Sequence, residues 1–314
     1  MAKKSIFILI FSSFCILAAG QQTPLYPVSY RIITPFVFNP AIAGSKDFFS
    51  IDLISNKFGN SNSQVLNGNA RLKRANHNYF SAPNATEYAK IAVGGLVFNE
   101  LNGLSRNIGI GGTGAYHFQL KKDGLSYLSV GVTGKAIYNK YSGDPDLGRA
   151  AKSTLFPDFD AGLYYYNTNL FAGLSATNIL GHLEDPDSTG FYSIQASRQL
   201  FFLIGYKIVL SKSLNILLEP SIIINTGDSI PSKKTDMIKP SLKLYAGDFC
   251  VGTYFNDFSK LSFFAQYKYP AFYVATYFEV PKGSPFYKNP FLAEFALGLN
   301  ISAIKSRSSI HNHW

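Results

Sequence analysis

Residues Phe159 to Asn178 read FDAGLYYYNTNLFAGLSATN. Phe159, Ala161, Leu163 and Tyr165 alternate with Asp160, Gly162, Tyr164 and Tyr166, which sets an apolar face against a mixed one. After Asn167-Thr168-Asn169 the alternation resumes, with Leu170, Ala172, Leu174 and Ala176 against Phe171, Gly173, Ser175 and Thr177. A period of two on either side of a short polar turn predicts a β-hairpin. The Asn residues suit the turn because they tolerate positive φ and hydrogen-bond their own backbone.

The same ribbon recurs from residue 48 to residue 304. Fourteen strands are predicted, near 48–57, 64–74, 89–98, 105–120, 125–138, 157–166, 170–178, 193–210, 213–225, 236–246, 249–256, 261–268, 271–279 and 291–304. In four the alternation is clearest. Leu128, Val130, Val132, Ala136 and Tyr138 oppose Tyr127, Ser129, Thr133 and Lys135. Leu200, Phe202, Ile204, Tyr206, Ile208 and Leu210 oppose a face containing Lys207. Leu214, Ile216, Leu218, Ile222 and Ile224 oppose Asn215, Glu219, Ser221 and Asn225, and Phe291 to Ile301 follows the same rule with Glu294 and Asn300 on the other face. Pro220 and Pro240 fall inside these runs and are expected at bulges or strand ends, since proline cannot donate to a ladder.

Charged residues make up 15% of the 314 residues, and the 27 Phe and 20 Tyr carry most of the 15% aromatic content. A soluble globular chain is usually about one-quarter charged. Beyond the N-terminus there is no run of about 20 apolar residues, so a helical membrane protein is excluded. A transmembrane barrel escapes that test because its apolar outside and polar inside average out along each strand. Two architectures bury such ribbons, a soluble sandwich and a closed barrel. Strands of about ten residues fit the barrel, as do tyrosines and phenylalanines at strand ends (Tyr138, Tyr141, Tyr164 to Tyr166, Tyr267, Tyr269, Phe286 and Tyr287) that read as interfacial girdles. The expected fold is all-β, a closed transmembrane antiparallel β-barrel of about 14 strands.

The ends read differently from the middle. Residues 1–20 form a secretory signal peptide, with Lys3 and Lys4, an apolar stretch from Ile6 to Leu17, and Ala18 and Gly20 before Gln21. Cys15 does not make a lipoprotein site, since Phe14 stands where a small residue is needed. Residues 21–47 are an irregular lead-in punctuated by Pro24, Pro27, Pro35 and Pro40, residues 48–304 the barrel, and residues 305–314 a polar tail. The lead-in is too irregular to cross lipid, so it belongs in the periplasm or inside the barrel. Without Lys3 and Lys4 the 29 basic residues fall to 27 against 19 acidic, a net +8. No Lys/Arg block dominates, so nucleic acid is not an expected partner; the excess is a solvated surface or faces anionic headgroups. Cleavage leaves Cys250 alone in a strand, a packing residue.

Loop lengths suggest an orientation. The connections 121–124, 167–169, 211–212, 247–248 and 269–270 are tight, whereas 139–156, 179–192, 226–235 and 280–290 are long. Bacterial barrels keep short turns in the periplasm and long loops outside. Residues 75–88 and 257–260 break the alternation.

Motifs for chemistry are missing. His77, His117, His182, His311 and His313 show no zinc spacing, no phosphate-binding Gly-Lys-Ser/Thr loop is present, and no G-x-S-x-G elbow occurs. Asp158 and Asp160 share one strand face about 7 Å apart and read as solvated lumen carboxylates rather than an acid–base pair. Asp144-Pro145-Asp146 and Glu184-Asp185-Pro186-Asp187 read as loop tips before they read as calcium ligands. No catalytic, cofactor-binding or metal-binding residue is assigned, and the chain is expected not to be an enzyme.

Three segments carry a family resemblance. FVFNPAIAGSKD resembles the N-terminal signature of the PorP/SprF family of Bacteroidota outer-membrane proteins, with Asn39, Pro40, Ala41, Ala43 and Gly44 in its Asn-Pro-Ala-x-Ala-Gly places. LFAGLSATNIL is similar to the family's mid-chain Gly-Leu-Ser strand and following Asn turn, with Gly173, Leu174, Ser175 and Asn178. SRQLFFLIGYKIVLSKSLNILLEPSIII resembles its next hairpin through Arg198, Gly205, Tyr206, Pro220 and Ser221. The chain departs from the family where PVSYRIITPF and IDLISNKF replace an aromatic Gln-Tyr stretch and an Arg-x-Gln-Trp strand. The resemblance implies an outer-membrane barrel of the type IX secretion and gliding machinery. It implies as partners outer-membrane lipid, a secreted surface protein or adhesin, and periplasmic components of the same machinery. A passive outer-membrane porin is the alternative.

Overall fold

A computed structural model of the chain describes residues 33–46, 49–58, 61–73, 88–120, 126–143, 150–181, 198–227, 237–257, 260–267, 272–281 and 292–301. The signal peptide, the start of the lead-in and the polar tail lie outside the described residues. So do His77, His182, His311, His313, Tyr269, Phe286, Tyr287 and both acidic loop tips.

Strands β1 (Phe49–Phe58), β2 (Ser61–Lys73), β3 (Tyr88–Asn102), β4 (Ser105–Gln119), β5 (Tyr127–Tyr141), β6 (Lys152–Tyr166) and β7 (Leu170–Thr177) form an antiparallel meander. It continues through β8 (Gln199–Tyr206), β9 (Ile208–Ser211), β10 (Ile216–Gly227), β11 (Ile238–Ala246), β12 (Phe249–Asp257), β13 (Lys260–Tyr267), β14 (Phe272–Pro281) and β15 (Leu292–Ile301). β15 pairs with β1 from Phe49↔Ile301 to Lys57↔Ala293, which closes the sheet. β8 and β9 are two parts of one stave, both paired to β10, so the barrel has fourteen staves. All fourteen expected strands are present. Closure leaves no edge, the condition for an all-β chain to cross lipid.

The outward faces are those the alternation assigned. On β4 every outward residue from Ile108 to Phe118 is apolar, aromatic or glycine: Ile108, Ile110, Gly112, Gly114, Tyr116 and Phe118. On β5 the matching set runs from Leu128 to Tyr138, and on β6 from Leu155 to Tyr165. Ten residue steps at about 3.3 Å, tilted by roughly 40°, project to about 25 Å, the height of a barrel's apolar band. This band is why large apolar side chains such as Val132, Leu155 and Ile110 stand 60–70% exposed.

Three expectations are corrected. Tyr141, Tyr164 and Tyr166 point into the barrel rather than into an interfacial girdle; Tyr164 and Tyr166 stack there with centroids 5.4 Å apart. Pro220 and Pro240 are at neither bulges nor strand ends. Pro220 sits mid-strand, and the β10 ladder is interrupted opposite it, between Ser221↔Gly205 and Leu218↔Ile208. The missing N–H thus faces the gap that separates β8 from β9. On the other side of the stave Lys207 is held by the β6–β7 turn, its N–H donating to Asn169 O (2.7 Å) and Asn169 Nδ2 donating to Lys207 O (3.1 Å). Pro240 pairs with Ile222 but lies one residue beyond the β11–β12 ladder, which ends at Ser241↔Tyr254. The third correction is Asp158 and Asp160. They are lumen-facing but buried, and Lys135 Nζ lies 2.7 Å from Asp160 Oδ1 and 3.3 Å from Asp158 Oδ2.

Candidate functional site: a segment seated inside the barrel

Asn39-Pro40-Ala41 folds locally for reasons visible in its residue types. Pro40 opens a 3-10 turn, Pro40–Ile42, and Asn39 caps it by accepting the Ala41 N–H at 3.1 Å. Asn is a favoured N-cap and Pro a favoured first helical residue. A second turn, Pro35–Val37, precedes it and buries Phe36. Gly44, at φ +66°, takes the chain out of the pair; a Cβ there would collide with that of Ala92.

This segment lies within the barrel, near the end where β1 starts and β15 stops. Asn39 Nδ2 donates to the Leu163 carbonyl on β6 at 3.1 Å. The Gly44 N–H donates to Asn69 Oδ1 on β2 at 3.0 Å, and Asn69 Nδ2 to Ser50 Oγ at 3.0 Å. His117 on β4 has Nε2 3.0 Å from Ala43 O and Nδ1 3.0 Å from Tyr166 OH. A carbonyl only accepts, so Nε2 carries the proton and Nδ1 takes that of Tyr166, which in turn accepts from Arg71 Nη1 at 3.2 Å. Phe38 meets Phe201 on β8 with ring centroids 5.0 Å apart.

The wall is shaped for this guest. Nine lumen-facing strand glycines, from Gly94 to Gly298, are each covered. Five are covered by the side chain directly across the ladder: Gly109 by Phe98, Gly111 by Lys135, Gly205 by Phe171, Gly252 by Phe264 and Gly298 by Tyr273. The other four lie under the segment. A Cβ on Gly131 would stand 2.5 Å from Ala41 N, one on Gly173 2.7 Å from Asn39 Nδ2, and one on Gly162 would overlap Asn39 Oδ1. Gly94 takes Phe36 at 3.3 Å. Gly131 and Gly162 are cross-strand partners, so backbone lies bare where Asn39 and Pro40 approach.

The family-motif residues therefore converge in part. Asn39, Pro40, Ala41, Ala43 and Gly44 form the seated segment, and Gly173 belongs to its cradle. Ser175 faces the lumen opposite Gly162. Leu174 faces outward, 53% exposed, away from the cradle. Asn178 ends β7 in the left-handed region (φ 55°), its N–H on Asp160 Oδ1 at 2.9 Å and its Oδ1 2.6 Å from Lys135 Nζ. Sequence reasoning missed Gly131, Gly162, Asn69, His117 and Tyr166. The available signal was a glycine on the mixed face with no aromatic residue opposite.

Large side chains occupy much of the other part of the lumen. Tyr254, Tyr273 and Tyr277 are fully buried there with Cys250, Ile54 and Leu217. Tyr273 OH donates to Asp52 Oδ1. One cavity, bordered by Ile33, Phe36, Ile42, Ser50 and Asn69, has about 10 Å³ of room, enough for one water. Among the described residues no three His, Cys, Asp or Glu side chains gather as a metal site.

A family model for the type IX secretion system membrane protein PorP/SprF matches residues 19–291. The chain belongs to that family. It is thus a membrane component of type IX secretion, and its closed barrel places it in the bacterial outer membrane. Among solved structures, the β domain of the Bordetella autotransporter BrkA is 12% identical, with a TM-score of 0.38, over 82% of this chain and 98% of its own. The KdgM porin is 10% identical, with a TM-score of 0.36, over 81% and 98%. Omp33 of Acinetobacter baumannii is 13% identical, with a TM-score of 0.32, over 82% and 99%. Similarity this low assigns no function here. No curated protein sequence matches the chain.

Proposed function

We propose that this PorP/SprF barrel is a non-enzymatic part of the type IX secretion and gliding machinery that supports secretion or surface anchoring of a partner protein such as an adhesin. The observation that carries the reading beyond the family is what the lumen holds. A segment hydrogen-bonded to β2, β4 and β6 occupies one half and buried tyrosines the other. A passive porin needs an aqueous path, which this packing does not favour. Deleting the gene is expected to remove at least one type IX cargo from the cell surface; unchanged export and attachment of every cargo would overturn the proposal. In planar bilayers the purified barrel is expected to stay electrically silent, and steady single-channel conductance would establish the porin reading instead.

The orientation proposed is near end in the periplasm and the opposite, far end outside. In a Cys250→Ser background, Ser153→Cys at the far end is expected to react with an impermeant maleimide on intact cells. Thr168→Cys, in the near-end β6–β7 turn, is expected to react only after the outer membrane is breached. The opposite labelling pattern would invert the barrel.

A further inference from the structure

The cross-strand register connects a row of outward side chains toward the far end, which changes height by about 3 Å per strand because the strands are tilted by roughly 40°. Lys57 pairs with Asn62, Asn62 with Leu101, Leu101 with Arg106, Arg106 with Lys140 and Lys140 with Ser153, from β1 to β6. Lys57, Arg106 and Lys140 are exposed. Arg106 and Lys140 are directly opposed on adjacent strands, and like charges in that position repel and destabilise the pair. Arg106 is nonetheless held in place. Its Nε donates to Asn99 Oδ1 at 2.8 Å, and Asn99 Nδ2 donates to Gln64 Oε1 at 2.9 Å. That bond uses the guanidinium's Nε and none of its terminal nitrogens.

Among the described residues no carboxylate stands on the outward face of β1–β6 at this level, and none pairs with these three cations. Glu100 is on the alternate, lumen face of β3. The rim over β11–β15 differs. The outward far-end residues of β11–β15 include Ile238, Phe263, Phe278 and Phe295, with no cation among those described. Two directly opposed cations at the edge of the apolar band, beside an apolar wall, match an anionic lipid that lies against that wall.

We infer that Arg106 and Lys140 bind a phosphate of an outer-leaflet glycolipid. Arginine offers a fork for phosphate oxygens and lysine a point charge, so one phosphate relieves the Arg106–Lys140 repulsion. The acyl chains would then run down the face formed by Ile108, Ile110, Val132 and Tyr138. The inference rests on the far end facing outward, which the maleimide experiment tests separately.

The test uses the purified mature barrel in neutral detergent, titrated with diphosphorylated lipid A while thermal unfolding is followed. Wild type is expected to gain stability with lipid A. Dephosphorylated lipid A, inorganic phosphate and phosphatidylglycerol at equal concentration are expected to give little change. Arg106→Gln/Lys140→Gln should need at least tenfold more lipid A for the same gain. Lys140→Glu gives Arg106 an ion-pair partner, so it should fold at least as well as wild type and still lose the lipid response. Equal gains with phosphorylated and dephosphorylated lipid, an equal gain with inorganic phosphate or phosphatidylglycerol, or an unaltered response in Lys140→Glu would each overturn the inference.

Discussion

The two halves of the lumen solve the same packing problem with different material. Inside β10–β15 the strands fill their own space. Tyr273 lies over Gly298, Phe264 over Gly252, and Phe264 stacks on Tyr277 with centroids 5.5 Å apart. Inside β3–β8 the strands do this only in part, with Phe98 over Gly109 and Phe171 over Gly205. Gly94, Gly131 and Gly162 have no cross-strand ring above them, Gly173 has Tyr164 to one side, and Phe36, Asn39, Pro40 and Ala41 arrive from the lead-in. The first half takes only Ile33 and the edge of Val37 from the lead-in; the second is complete only when Phe36 to Ala43 is seated. That difference separates barrel stability from plug stability, and substitutions can address each alone.

The largest effect belongs to the self-filled half. Tyr273→Ala removes a fully buried ring, bares Gly298 and takes the hydroxyl from Asp52. Removing a buried aromatic costs about 3–5 kcal/mol. Urea unfolding in detergent should shift by that much, while residues 38–46 remain as resistant to protease as in wild type. Tyr273→Phe keeps the ring and isolates the hydroxyl, for about 1–3 kcal/mol. If Tyr273→Ala instead freed the lead-in before the barrel melted, the two halves would not be independent.

Gly162→Val attacks the other half. The new side chain overlaps Asn39 Oδ1 and crowds Pro40 Cδ, which lies 3.3 Å from the Cβ position. Overpacking costs about 1–3 kcal/mol, and here it can be relieved by unseating the segment. Trypsin should cut after Lys46 faster than in wild type, with the barrel's own melting little changed. Asn39→Gly added to Gly162→Val should restore part of the protection, since the clash is pairwise. Protection equal to wild type in the single variant would show that the cradle does not hold the segment.

How much of this was legible follows from how each feature is encoded. Outward faces repeat every two residues, so Leu128 to Tyr138 and Leu200 to Leu210 assigned themselves. Strand ends were less clear: β6 starts at Lys152, not near 157, because Lys152 and Ser153 carry no apolar signal. The inner face has no period of its own. Tyr164 and Tyr166 looked like girdle residues because nothing local distinguishes an inward ring from an interfacial one. Asp158 and Asp160 looked solvated because their cation, Lys135, comes from another strand. Asn39 stood out by family resemblance, but its partner Leu163 is 124 residues away. Only the register, which pairs Gly131 with Gly162, shows why an Asn-Pro-Ala turn fits there.

The smallest effect is also the most specific, because Asn39 does two separable things. Its Oδ1 caps the 3-10 turn on the Ala41 N–H, and its Nδ2 reaches the Leu163 carbonyl across the wall. Asn39→Ala loses both, and loss of a cap alone typically costs about 1 kcal/mol. Asn39→Ser keeps an acceptor for Ala41 but is too short to reach Leu163. Asn39→Asp keeps the acceptor and sets a carboxylate beside the Leu163 carbonyl with no hydrogen to share. Amide exchange across residues 33–46 should therefore quicken in the order Ser, Ala, Asp, with Ala about 5–30-fold faster than wild type for 1–2 kcal/mol. The β14–β15 amides, in the self-filled half, should not respond. If Asp behaved like Ser, the Leu163 bond would carry no weight, and the cap with the glycine cradle would hold the segment by shape alone.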